Sequence, residues 1–189
     1  IDTVTVSFGH GVAVSPVQLT AAVAAVVNGG VLVPPTLLRV APGAAPTGPR
    51  AMSERTSLQM RQLMRLVVTD GTGKQADAAG YLVGGKTGTA DKVVDGRYVT
   101  NARVASFAAA FPIADPRYAV FIMVDEPKGT AATHNFATGG WVAAPAVRRV
   151  VEQIAPLLGV EPVRNEPDED GSNLLLVRAK AKAEKLAAN

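Results

Sequence analysis

Gly80-Tyr81-Leu82-Val83-Gly84-Gly85-Lys86-Thr87-Gly88-Thr89-Ala90 admits two incompatible structures. Taken as letters, Gly80 to Thr87 satisfies the phosphate-loop pattern GxxxxGK[ST], and Val120-Phe-Ile-Met-Val124-Asp125-Glu126 resembles the strand and acidic pair of such ATPases. A phosphate loop must leave a buried strand and enter a helix, so that backbone N–H groups converge on phosphate. The residues before Gly80 (KQADAA) are not a buried strand, and those after Thr87 include Gly88, two valines and Asp95-Gly96, a poor helix. The alternative is a β-strand through Lys86. Side chains then alternate, with Lys86 and Gly88 on one face and Thr87 and Thr89 on the other. Glycine at 84, 85 and 88 lets a ligand or another chain approach the backbone closely. The strand reading is preferred, and an ATPase stays as a distant alternative.

Working outward, Tyr81-Leu82-Val83 reads as the lead into that strand. Residues 103–111 follow a turn at Asp95-Gly96, and residues 118–124 follow a turn at Asp115-Pro116. Such short connections favour an antiparallel meander, since parallel pairing needs a long crossover. Upstream, Ser15-Pro16-Val17-Gln18 is a capping box with proline at the first helical position, and Asn28-Gly29-Gly30 stops that helix. Ser53 caps a second helix, with Met60, Leu63, Met64 and Val67 at helical spacing and an end at Asp70-Gly71. A last helix is expected to start near Pro145, with Val147, Val150, Val151 and Ile154 on one face and Pro156 near its end. Residues 41–50 are a proline- and glycine-rich surface loop. The sum is an α+β arrangement, with helices packed on one face of an antiparallel sheet.

Composition narrows the functions available. The chain has 189 residues, 48% apolar and 19% charged, and a net charge of +3 that implies no nucleic-acid partner. No apolar run is long enough for a membrane helix. Cysteine is absent, which excludes disulfides, cysteine nucleophiles and thiolate metal sites. His10 and His134 lack ligand spacing, so neither a metal nor another cofactor is expected. Gly71-Thr-Gly73-Lys-Gln-Ala76 fits a loose dinucleotide fingerprint, but it follows a helix and reads as a helix-ending turn.

Lys86-Thr87-Gly88 is also the KTG triplet of serine acyltransferases. More than the triplet matches. SFGHGVAVSPVQLTAAVAAVVNGG at 7–30, GTGKQA at 71–76, GYLVGGKTGTADK at 80–92, ASFAAAFP at 105–112 and PRYAVFIMVDEP at 116–127 occur in order. Over residues 1 to 158 the chain resembles the C-terminal half of the transpeptidase domain of a class B penicillin-binding protein, closest to the cell-division (septal, FtsI-like) branch. The resemblance implies an antiparallel sheet flanked by helices, as in serine β-lactamases. It implies acyl transfer on the D-alanyl-D-alanine end of peptidoglycan stem peptides, and covalent capture of β-lactam antibiotics. Lys86 would supply positive potential among the catalytic hydroxyls. Thr87 and Thr89 would bind the substrate carboxylate, and the Thr89 N–H would be one oxyanion donor. The loop 127–140 would rim the cleft, with Phe136 and His134 near the ligand. The family further implies divisome membrane proteins as partners and a place on the periplasmic face of the bacterial inner membrane.

One departure is decisive. The family's nucleophile motif is Ser-x-x-Lys, accompanied by Ser-x-Asn. Ser7, Ser15, Ser53, Ser57, Ser106 and Ser172 have neither lysine three residues on nor asparagine two residues on. Both motifs are expected upstream, in a missing N-terminal half. A penicillin-binding sensor of the same fold is the second reading. Residues 159–189 read as an acidic linker and a basic tail, disordered or a short helix.

Overall fold

The computed structural model describes residues 3–4, 12–41, 47–94 and 97–163. The turn at Asp95-Gly96, His10 and the tail from 164 lie outside the described residues, as do residues 42–46 of the surface loop. Helix α1 spans Pro16–Val27 and α2 spans Glu54–Thr69; a 3₁₀ turn at Lys74–Ala76 follows. Strands β1 (Gly84–Val94), β2 (Arg97–Phe111) and β3 (Tyr118–Asp125) come next, then a 3₁₀ turn at Ala131–Thr133 and helix α3 (Gly139–Leu157).

The three strands form the expected meander, β1-β2-β3, antiparallel throughout. Lys86 faces Ala108, Thr87 faces Phe107, and Ala109 faces Val120. β1 therefore lies at one edge of the sheet and β3 at the other, among the described residues. Both predicted helix starts are in place. The Ser15 hydroxyl accepts from the Gln18 N–H at 3.2 Å while the Gln18 side chain accepts from the Ser15 N–H at 2.9 Å. Ser53 likewise accepts from the Thr56 N–H.

Three expectations need correction. Helices cover both faces of the sheet, not one. Phe107, Ala109 and Phe111 pack with Ala143, Ala144, Val147 and Val151 of α3 on one face. On the other, Ala110 and Ile113 pack with Val23, Val26 and Val27 of α1 and Met64 of α2. Strand β2 is buried on both sides, so its small residues match both helix layers. Helix α3 starts at Gly139, six residues before Pro145, which sits inside it. Proline has no N–H to give back to the turn before it, yet its missing bond concerns only the carbonyl of Trp141. Finally, residues 81–83 are not strand. Leu82 takes φ of 45°, and its carbonyl accepts from the Ile113 N–H at 2.8 Å. A left-handed residue cannot continue a pleat, so the strand begins at Gly84.

Side-chain bonds lock the helices to this frame. Ser57, fully buried on α2, donates to the Val26 carbonyl at 2.6 Å and accepts from the Gly29 N–H at 3.0 Å. Arg65 Nη1 donates to both Asp77 Oδ1 and the Val83 carbonyl, each at 2.7 Å. That second bond fixes the chain directly before β1.

Candidate active site

The Lys86-Thr87-Gly88-Thr89 segment lies inside β1, with no helix after it. The phosphate-loop geometry is thereby absent, and the alternation expected from a strand is present. Lys86 sits on the face covered by α1 and α2. It borders a cavity of about 370 Å³ walled by Val23, Val26, Met60, Leu63, Met64 and Val67. Its Nζ donates to the Thr87 carbonyl at 2.8 Å. Met60 and Leu63 belong to the apolar stripe read from the sequence, yet they remain 36% and 55% exposed. The cavity is open on their side.

Thr87 and Thr89 stand on the opposite face, and each hydroxyl already has a partner in this chain. The Thr87 Oγ1 lies 2.9 Å from the Thr72 Oγ1 in the turn after α2. The Thr89 Oγ1 accepts from the Gly139 N–H, at the start of α3, at 3.0 Å. An oxygen that accepts from the protein keeps its own proton for a ligand. This face therefore presents the Thr89 hydroxyl proton at an edge strand, and that of Thr87 when Thr72 is the donor, which suits an anionic group. Gly88 makes room on the other face, where a Cβ would be driven into the Ser106 hydroxyl.

Phe136 is 53% exposed and stacks on Trp141 at 5.8 Å between ring centroids, while His134 meets the same indole edge-on at 5.2 Å. The single tryptophan at the start of α3 thus holds the 127–138 loop. Phe136 also lines a hollow of about 260 Å³ with Arg103, Lys128, Asn135 and Thr138. Beside it, Lys92 donates to Asp125 Oδ2 at 3.0 Å and to Glu126 Oε1 at 2.9 Å. Its hydrogen bond to Glu126, and then that to Asp125, raise the Lys92 pKa above the ordinary lysine value.

Among the described residues no serine hydroxyl is bonded to a lysine, and no three His, Cys, Asp or Glu residues converge as metal ligands. Sequence reasoning named Lys86, Thr87 and Thr89 as candidates and did not name Thr72 and Gly139, the two groups bonded to the threonine hydroxyls. The Gly139-Gly140 pair was the available signal, because two glycines in a helical turn cost stability unless a close approach requires them.

Residues 1–152 match the family model for the penicillin binding protein transpeptidase domain. The chain belongs to that family. It is 49% identical over 170 residues to the "Probable peptidoglycan D,D-transpeptidase FtsI" of Caulobacter vibrioides, covering 85% of this chain and 29% of the relative. It is 41% identical over 176 residues to "Stage V sporulation protein D" of Bacillus subtilis, covering 88% and 26%. The transpeptidase domain of Burkholderia pseudomallei penicillin-binding protein 3 superposes with a TM-score of 0.74 at 37% identity, over 86% of this chain and 47% of that one. The chain is thus a portion of a penicillin-binding protein transpeptidase domain, of the FtsI/PBP3-like kind, and spans under a third of the length of these two curated relatives. No helix among the described residues is long and apolar enough to cross a membrane.

Proposed function

We propose that this chain is the KTG-bearing part of a septal peptidoglycan D,D-transpeptidase, and that residues 1–158 complete their active site with a serine-bearing half carrying Ser-x-x-Lys and Ser-x-Asn. The observation that carries the reading is the placement of Lys86-Thr87-Gly88-Thr89 inside an edge strand, with both threonine hydroxyls on one face. The serine oxygen, supplied by the other half, attacks the penultimate D-alanine carbonyl of a stem peptide. The C–N bond breaks, D-alanine leaves with the serine's proton, and an amine from a neighbouring stem resolves the acyl-enzyme. Thr87 and Thr89 hold the terminal carboxylate, and the Thr89 N–H shares the oxyanion with the serine's own N–H. Lys86 adds positive potential on the serine's side of the strand, and Phe136 flanks the bound peptide. β-Lactam antibiotics acylate the same serine because they mimic the dipeptide. The reaction belongs on the periplasmic face of the inner membrane, beside divisome membrane proteins. Residues 159–189 are a linker and tail outside this chemistry.

Without the nucleophile the chemistry disappears. Incubated with benzylpenicillin, this chain by itself is expected to show no covalent mass increase, and adding the serine-bearing half restores labelling. Lys86→Ala in the reassembled protein slows acylation by roughly a hundredfold or more. An adduct on a serine of this chain, or an unchanged rate for Lys86→Ala, refutes the assignment. If the reassembled protein acylates yet never turns over stem peptide, it is a penicillin-binding sensor instead.

A further inference from the structure

We propose that Thr72 is a positioning residue for carboxylate recognition: its hydroxyl fixes Thr87 as a hydrogen-bond donor toward the ligand. The inference rests on the carboxylate role given to Thr87 above and extends it to a residue that lies 15 positions away in the chain.

The two Oγ1 atoms are 2.9 Å apart, and either can donate. A carboxylate only accepts, so its arrival selects one polarity. Thr87 then gives its proton to the ligand, and its lone pair receives the proton of Thr72. Hydrogen bonds in such a chain strengthen one another. Thr89 follows the same logic with a different neighbour, accepting from the Gly139 N–H at 3.0 Å. Both hydroxyls on this face are thus turned outward from behind, one by a side chain and one by the start of α3.

The position of Thr72 is enforced by packing. A Cβ on Gly140 would collide with the Thr72 carbonyl oxygen, while the Thr87 methyl would lie 3.7 Å from it. The residue after it is pinned as well. The Gly73 N–H donates to the Val67 carbonyl at 2.9 Å, and a Cβ on Gly73 would press on Phe107 at 2.9 Å. Thr72 therefore cannot move off Thr87 without disturbing α3 and the core. Thr72 itself is exposed.

The test uses the reassembled transpeptidase and two ligands, benzylpenicillin and its methyl ester, which lacks the carboxylate. Thr72→Val keeps the shape and removes the hydroxyl. It is expected to lower the second-order acylation constant about three- to tenfold for benzylpenicillin and to leave the ester unchanged. Thr72→Ser restores the loss. Combined with Thr87→Val, it adds nothing further, because the two hydroxyls act as one unit. An equal loss on both ligands would mean a purely structural role and overturns the inference, as does a full additive loss in the double variant. If Thr87→Val itself leaves the carboxylate preference intact, the site assignment fails and this inference falls with it. If Thr87→Val abolishes the preference while Thr72→Val leaves it untouched, only the role of Thr72 is lost.

Discussion

Gly139 shows how little space separates helix α3 from the sheet. A side-chain methyl there would be driven into the carbonyl oxygens of Ser106 and Gly88. The same residue donates its N–H to Thr89. Gly139→Ala must therefore push α3 off β1 and β2, which costs about 1–3 kcal/mol, as overpacking of a filled core does. Urea unfolding measures it as a lower midpoint with an unchanged slope, and an unshifted midpoint would mean that the contact relaxes freely. At this scale the sequence spoke clearly wherever a local rule applied. Alternation along a strand separates Lys86 from Thr87 and Thr89 whatever the rest of the chain does. Thr72 and Gly139 were passed over for the opposite reason. Each matters through a partner 15 or 50 residues away, and no spacing rule connects them.

Among the elements, those with a terminal signal of their own were legible. Ser15 and Ser53 each accept from an N–H of the first turn, so the starts of α1 and α2 could be placed to the residue. Helix α3 lacks such a signal, since the Thr138 side chain makes no capping bond. Pro145 imitated a start, while the true one is fixed by contact with the sheet. Residues 81–83 misled because apolar character suggests a strand, whereas the backbone there obeys Arg65. That side chain, mostly buried, ties α2 to Asp77 and to the Val83 carbonyl. Arg65→Met leaves the Val83 carbonyl without its donor and should cost roughly 1–3 kcal/mol. Faster amide exchange at Gly84 and Gly85 would locate the damage at the start of β1. Wild-type exchange in the variant would show that Arg65 is not the strut.

At the level of the whole molecule, fold class and strand order followed from hairpin-length connections, and the layering did not. Whether helices lie on one face or both depends on which apolar positions meet, and β2 is apolar on both sides. The surface left uncovered belongs to the same question. Val17 is 59% exposed, Leu63 55% and Met123 49%, and all three lie on or beside the α1–α2 face of the sheet. Exposed apolar patches of this kind associate. Sedimentation velocity on this chain should show concentration-dependent self-association that Leu63→Glu weakens and the serine-bearing half abolishes. A monomer that stays ideal as concentration rises would mean the face is complete as it stands.

The packing of α1 carries a consequence for the order of events on the ribosome. Synthesis releases Pro16–Val27 well before the sheet residues that cover part of its apolar side, since Ala110, Ile113 and Phe121 emerge some eighty to a hundred residues later. The meander has no such delay, because each strand pairs with its immediate successor. Local pairing closes quickly, while long-range closure waits on chain length. The nascent polypeptide therefore carries a valine-rich helix that only α2 covers until those strands are made. Its docking on the sheet is complete only when the third strand has been made.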